Sequence, residues 1–452
     1  MLEQQSEVAA NGPVVIVGGG FTGLSAAYEL ALAGQRVIVL EKEDTVGGLA
    51  SGFKVGEFTL ERFYHHWFTN DEHVMTLVEE LGVADKVVYR PTRTGMYYAN
   101  TIFRLSKPMD LLKFSALKFT DRIRLGLLAV RARLIKDWRA IEHLTAREWL
   151  LRMAGPEVFR VVWEPLLAGK FGPYAEKVGA VWFWKKIALR GGSRDGEGRE
   201  VLAYYQGGFP ALAEAITDKI VALGGEVRTG CKVASLQVED GQVRAVVTGA
   251  GETIPAGTVL LTQPLPLIAD LLEPHTPPAY TAELRAIDYL ANICLVLELD
   301  RSLSDTYWLN VNDANFPFVG VIEHTNFEPP ESYGNRHIVY LSKYLPEEDA
   351  LYRMDDRAVL DFSLPYLMKM FPEFRPEWVK AHHVWRARFS QPIVVPGYSR
   401  MIPAEATPLG NVSIASMAQI YPEDRGTNYA IREGRAVGKR LAAVGAEVSA
   451  EV

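Results

Sequence analysis

Val14-Val15-Ile16-Val17 leads without a break into Gly18-Gly19-Gly20-Phe21-Thr22-Gly23. Such a β-branched run reads as a buried parallel strand. The glycines at 18, 20 and 23 have the G-x-G-x-x-G spacing, and each has its own physical use. Gly18 permits a tight turn, Gly20 lets backbone approach a pyrophosphate, and Gly23 lets the next helix pack closely on the strand. That helix is predicted from about Thr22 to Ala33, with Leu24, Ala27, Tyr28 and Leu30 at helical spacing and Gly34 as its stop. Phe21 and Thr22 fall at its N-terminus, where unpaired N–H groups and the positive dipole end suit phosphate. A second strand, Arg36 to Leu40, ends in Glu41. Glu41 lies about twenty residues past the glycines, where an acid accepts hydrogen bonds from a ribose diol and disfavours the 2′-phosphate of NADP. A bare glycine-rich turn requires none of this order.

Five residues after Glu41 comes the pair Gly47-Gly48. This pattern resembles the flavin amine oxidase superfamily, which includes protoporphyrinogen oxidases, phytoene desaturases and UDP-galactopyranose mutases. The resemblance implies non-covalent FAD as cofactor. It assigns Gly18, Gly20, Phe21, Thr22, Gly23, Glu41, Lys42, Gly47, Gly48 and Leu49 to the FAD site. Many members carry Arg after the glycine pair, where this chain has Leu49-Ala50, so Arg62 is the candidate substitute; a purely structural arginine is the other reading. A second resembling block begins at Gly207-Gly208-Phe209-Pro210, with a helix predicted over 211–223 and a hairpin signal at Asp240-Gly241. It implies an adenine contact from the backbone at Val233 and places Thr262, at the end of the strand 257–262, near the cofactor. A third block has a strand over 411–416, the segment Tyr421 to Tyr429 and a helix from about Ala430 to Leu441. Gly426, Thr427 and Asn428 are the positions implied to face the flavin.

The implied fold is α/β (α+β), of glutathione-reductase and amine-oxidase type. A Rossmann-type FAD-binding domain is expected from 12–95, 200–265 and 390–452. A discontinuous substrate domain is expected from 96–199 and 266–389, with the polar loop Gly191 to Gly198 as a lid or linker between them. No second G-x-G-x-x-G follows a strand. Electrons leaving the flavin are therefore expected to go to oxygen, a quinone or another protein.

The candidate chemistry lies in Arg62-Phe63-Tyr64-His65-His66-Trp67-Phe68. In the superfamily the chain after the glycine pair returns beside the flavin ring. There His65 or His66 could donate to a flavin carbonyl or move a proton near neutral pH. The alternative is a histidine pair packed among aromatics. Lys343 is the candidate for the lysine that amine oxidases place near the flavin. Glu323-His324-Thr325-Asn326 and Lys343-Tyr344 follow apolar strands and could line a pocket, or could be solvated turns. No zinc spacing occurs. The cysteines are Cys231 and Cys294 alone, and neither lies near the C-terminal loop that carries cysteine-linked flavin in relatives.

A net charge of −7 argues against nucleic acid as the partner. The first residues lack the basic-then-apolar order of a secretory signal, and a cytoplasmic protein is expected. One stretch breaks the acidic balance: Arg104 to Arg139 holds ten Lys/Arg against three Asp/Glu. Within it Ile123, Leu127, Val130 and Leu134 share a helix face. A basic amphipathic helix can make peripheral contact with an anionic membrane. A core-facing stripe is the preferred expectation, because most such stripes are core. The function implied is an FAD-dependent oxidoreductase that moves a hydride from a C–N or C–C bond of a small-molecule or lipid-like organic substrate to flavin N5. The alternatives are a non-redox flavin-dependent mutase or isomerase on a nucleotide sugar, and a flavin-less binding protein resembling GDP-dissociation inhibitors.

Overall fold

The computed structural model describes residues 12–104, 108–190, 193, 196 and 199–450. Most of the loop Gly191 to Gly198 lies outside the described residues. Five short strands form a parallel sheet in the spatial order Glu226–Arg228, Val37–Leu40, Val14–Val17, Thr258–Leu261, Val412–Ile414. Because side chains alternate along a strand, Val15 and Val17 face one apolar cluster while Val14 and Ile16 face another. Both faces of the inner strands are covered, which is why Val14–Val17 and Val37–Leu40 are apolar throughout, while the edge strand Glu226–Arg228 carries charge.

The first helix, Phe21–Leu32, starts one residue earlier than the spacing suggests and packs on the sheet. The last helix runs Thr427–Ala450, longer at both ends than expected, and lies along the first. Two glycines set that approach. A Cβ at Gly434 would come within 2.2 Å of the Thr22 carbonyl oxygen, and one at Gly438 within 2.7 Å of the Ala26 carbonyl oxygen. Arg435 clamps the pair by bridging Glu29 of the first helix and Glu80. Residues 233–255 form a three-stranded antiparallel sheet, and Asp240 and Gly241 both take positive φ in its hairpin, as the sequence signal requires.

A seven-stranded sheet orders Val379–Pro392, Tyr289–Leu299, His337–Leu345, Gly320–Glu323, Trp308–Val311, Thr94–Tyr98 and Thr101–Arg104. Its pairings are antiparallel except Trp308–Val311 against Thr94–Tyr98. Ile293, Leu295, Leu297, Val339 and Leu341 point to an outer cluster that the helix Asp356–Met370 helps close. Alternate residues of the same strands, Cys294, Val296, Ile338 and Tyr340, point inward, toward the parallel sheet's apolar cluster.

Helices fill 108–190. Helix Phe119–Leu134 buries Asp121, Leu128 and Ala132 against its neighbours, and Trp184 donates to the Ala132 carbonyl at 2.7 Å. The stripe Ile123, Leu127, Val130, Leu134 is on the opposite side, 41–72% exposed. The core-facing expectation for this stripe is therefore corrected. Leu128 and Ala132, at a different phase of the same helix, satisfy the core in its place. Among the described residues no helix is long and apolar enough to cross a membrane.

Candidate active site

The glycine loop is shaped by contacts that only glycine allows. Gly18 has φ +119°, and a Cβ there would lie 2.4 Å from Thr262 Oγ1. Thr262 Oγ1 donates to the carbonyls of Val17 (3.0 Å) and Gly18 (3.2 Å), so this hydroxyl braces the turn from below. A Cβ on Gly23 would meet the Gly18 carbonyl oxygen at 2.0 Å, which is how closely the helix sits on the loop. Gly20 differs. Its added Cβ would touch nothing nearer than the Gly48 Cα at 3.8 Å, and Phe21, Thr22 and Gly23 begin a helix whose N-terminus has no side-chain cap.

The glycine pair closes over this loop. Gly47 donates to the Gly19 carbonyl at 2.8 Å and forms a bridge with Gly20, while Gly47 and Gly48 take φ +107° and +60°. Two bare backbone turns thus face each other. Glu41 is buried, and its Oε2 accepts from the Gly19 amide at 2.7 Å while Oε1 accepts from the Glu43 amide at 2.9 Å. The Glu41 and Glu43 carbonyls accept from the Cys231 and Gly230 amides, which brings Val233, two residues on, to the same edge of the sheet. Lys42 is exposed beside Glu43. Arg62 reaches Glu43 at 3.5 Å and stacks on Trp385 at 4.7 Å, with its buried Nε unpaired.

From Arg62 the chain is held by an anchor absent from the sequence reading. Glu61 is fully buried and accepts from the Tyr204 hydroxyl (2.7 Å) and the Phe209 amide (2.9 Å). Burial raises its pKa. This ties 62–68 to the Gly207-Gly208 turn. His65 stacks on Phe209, and its Nδ1 lies 2.6 Å from the Phe63 carbonyl. A carbonyl only accepts, so Nδ1 carries the proton and Nε2 is left to accept. Burial, helped by the nearby Arg425 charge, pulls the His65 pKa down to about 4. His65 is thus a neutral acceptor at physiological pH, and donation from Nε2 to a flavin carbonyl does not fit this tautomer. His66 turns away, with Nδ1 2.9 Å from the Tyr307 hydroxyl and its ring edge-on to Phe68 and Trp308.

A pocket brings together Leu49 from the glycine-pair turn, Phe63, Tyr64 and His65, and Arg425 from just before the last helix. The seven-stranded sheet supplies its roof, Asn292, Ser342, Tyr344 and Ser390. Arg425 Nη2 donates to the Tyr344 hydroxyl at 3.0 Å, and Asn292 Nδ2 donates to Ser342 Oγ at 3.0 Å. Arg425 Nε and Asn292 Oδ1 are buried without hydrogen-bond partners, on two residues that line this pocket. Beneath Arg425, Asp424 accepts from Trp182 Nε1 (2.7 Å) and pairs with Lys186 (2.6 Å). Lys186 in particular, with Lys170 and Arg425, keeps the Asp424 carboxyl ionised well below its usual range in spite of burial.

Lys343 is not brought to this pocket. Ser342 and Tyr344 face inward, so Lys343 between them faces out and pairs with Asp349 at 3.7 Å. Glu323 is consumed by Ser302, Leu303 and Ser304, and His324 is buried against Tyr333. At the last helix, Thr427 Oγ1 accepts from Trp67 Nε1 (2.8 Å) and Asn428 Oδ1 from the Val74 amide (3.0 Å). Those two side chains hold the helix end, while Gly426 faces open space. Cys231 and Cys294 are unpaired thiols.

Comparison with known proteins bears on this geometry. A family model described as flavin containing amine oxidoreductase matches residues 21–441. The chain is 24% identical over 434 residues to the 15-cis-phytoene desaturase of Arabidopsis thaliana, covering 89% of this chain and 75% of that one. An Exiguobacterium structure provisionally named a protoporphyrinogen oxidase superposes with a TM-score of 0.75 at 18% identity, over 95% of this chain and 98% of that one. A reduced UDP-galactopyranose mutase superposes at 0.70 and 16% identity, over 96% and 94%. Residues here fit the flavin dinucleotide: the bare Gly20 and Gly48 turns leave room that a Cβ would fill, and the pocket holds unpaired buried polar atoms. With the family model matched over nearly its whole length, the chain belongs to the flavin-containing amine oxidoreductases and is an FAD-dependent oxidoreductase.

Proposed function

We propose that this enzyme oxidises a C–N or C–C bond of an organic substrate held in the pocket between the glycine turns and the seven-stranded sheet. FAD, held non-covalently by the Gly18–Gly23 loop, Glu41 and the Gly47-Gly48 turn, supplies a two-electron acceptor at N5. The observation that carries the reading is the pocket itself. Its floor comes from the two segments that flank the dinucleotide cradle, 49–65 and 425, and its roof from strands with no part in that cradle. A substrate on the roof side would face the cofactor between the rings of Phe63, Tyr64 and Tyr344.

The chain's own groups have distinct parts. Neutral His65 accepts a hydrogen bond or a proton at Nε2. Arg425, fixed by Tyr344 and backed by Asp424, supplies fixed positive charge where electron density accumulates. Asn292 and Ser342 orient polar atoms of the substrate. The test is anaerobic mixing of the flavin-loaded protein with panels of amines and of allylic or cyclic hydrocarbons. Bleaching of the flavin by a member of either panel supports the reading, and no bleaching across both panels opposes it.

Arg425 with Tyr64 and Tyr344 also supports a second reading, a nucleotide-sugar mutase that uses reduced flavin without consuming electrons, since cation and tyrosines can hold a diphosphate. Isomerisation of a nucleotide sugar only after chemical reduction of the protein would favour that reading over the first.

A further inference from the structure

The exposed apolar stripe of helix Phe119–Leu134 has no use in the site above. Phe119 is 62% exposed and Leu134 72%, with Ile123, Leu127 and Val130 between them. At about 100° per residue these five fall on one narrow face. Met109 and Leu112 extend it from the preceding short helix, whose Leu111 rests against Gly126. Seven of the fourteen large apolar side chains exposed among the described residues therefore lie on these two packed helices. Scattered exposed apolar residues need no explanation, but a contiguous stripe marks an interaction surface.

The charge around the stripe identifies the partner. Arg131 and Arg133 lie roughly 80° to either side of it by the same helical geometry, and both are exposed. Lys113, Lys118, Lys136 and Arg139 are exposed at its ends. This cationic rim belongs to a chain of net charge −7, so it is a local feature set against the whole. Two copies meeting through this face would bring like charges together, which disfavours self-association. An anionic, apolar surface matches both parts at once: the stripe enters the acyl boundary, and the Lys and Arg stems reach back to the headgroups. The helix is also too short and too charged to span, so it would lie flat.

We propose that helix Phe119–Leu134, with Met109 and Leu112, docks the enzyme on an anionic lipid bilayer. The same helix packs on Ala180–Arg190, which carries Trp182 and Lys186 to Asp424. Helix Ala180–Arg190 thus lies between the docking helix and Asp424, the neighbour of the pocket residue Arg425.

The experiment is sedimentation of the flavin-loaded protein with vesicles of phosphatidylcholine alone and of phosphatidylcholine with phosphatidylglycerol. The expected result is binding to the anionic vesicles, weakened by salt, and little binding to the neutral ones. The triple variant I123S/L127S/V130S loses about a hundred-fold in vesicle affinity. K118Q/R133Q loses about five-fold for each charge removed. All these positions are exposed, so flavin content and melting temperature stay at wild-type values and serve as the folding check. Wild-type protein that stays in solution with anionic vesicles overturns the proposal. So does a stripe-dependent dimer by light scattering, which would assign the face to a second copy. Equal binding of the triple variant would place the membrane contact elsewhere and overturn it too.

Discussion

Gly20 and Gly23 are three residues apart, both glycine, and should fail in different ways when replaced by alanine. At Gly23 the new methyl meets the Gly18 carbonyl oxygen at 2.0 Å, where Cβ contacts below 3.0 Å are essentially never tolerated. The obstacle is backbone, so no rotamer change relieves it. Loop or helix must shift by about 1 Å, and overpacking of this kind costs at least about 3 kcal/mol, the upper end of its usual range. At Gly20 the backbone is already extended, φ −75° and ψ 175°, and the methyl meets only the Gly48 Cα at ordinary distance. The cost to the fold is then under about 1 kcal/mol, mostly from a poorer helix N-cap. The methyl does occupy the space between the two glycine turns. Losing close backbone approach to a pyrophosphate is worth about 3 kcal/mol, or roughly a hundred-fold in Kd. Urea unfolding of the flavin-stripped proteins and titration with FAD separate the two effects. Gly23→Ala should lower the urea midpoint; Gly20→Ala should leave it nearly in place and weaken FAD binding. Gly410→Ala, whose methyl makes only ordinary contacts, is the control and should match wild type in both. A Gly23→Ala protein of wild-type midpoint, or a Gly20→Ala protein of wild-type FAD affinity, refutes the reasoning.

Other outcomes follow from the same geometry. With its folded pKa near 4 and an ordinary value of 6.5, His65 stays unprotonated in the fold while the unfolded chain takes a proton. Its stabilising effect is full above about pH 6.5 and declines as pH falls toward 4, by at most about 3 kcal/mol. Melting curves across that window should flatten in His65→Gln, and identical slopes would count against a neutral His65. Lys343→Ala should leave flavin reduction unchanged and cost under about 1 kcal/mol, because its ion pair is long and half-exposed. Arg425→Met should slow reduction by any active substrate and raise the His65 pKa, readable by NMR of labelled histidine. Arg435→Ala leaves buried Glu29 with Lys439 at 3.7 Å as its one remaining ion-pair partner among the described residues, and should cost about 2 kcal/mol by urea unfolding.

The βαβ unit was legible because each of its demands falls on local sequence: β-branched strands, glycines where backbone must approach backbone, an acid at the second strand's end. The pocket was not, because its residues come from five separated segments. A weak signal was present: Asn292 interrupts the largely apolar strand Tyr289–Leu299, and alternation places Ser342 and Tyr344 inward while turning Lys343 out. Glu61 reads as one more acid on a strand until the fold buries it against Tyr204. Arg425 directly precedes Gly426, Thr427 and Asn428, the positions the resemblance implies, and nothing in its local sequence marks it out. The structure shows that the side chains of Thr427 and Asn428 hold Trp67 and the backbone of Val74. Helix Phe119–Leu134 shows the limit of periodicity. It carries apolar residues at two phases, and which phase is buried depends on neighbours that a window of sequence does not contain.

The most direct test of the account is the visible spectrum of the purified protein before and after acid precipitation. A yellow protein that releases FAD into the supernatant is the expected result. Colour retained in the pellet would contradict the non-covalent site, and a protein that stays colourless after incubation with FAD would contradict the account as a whole.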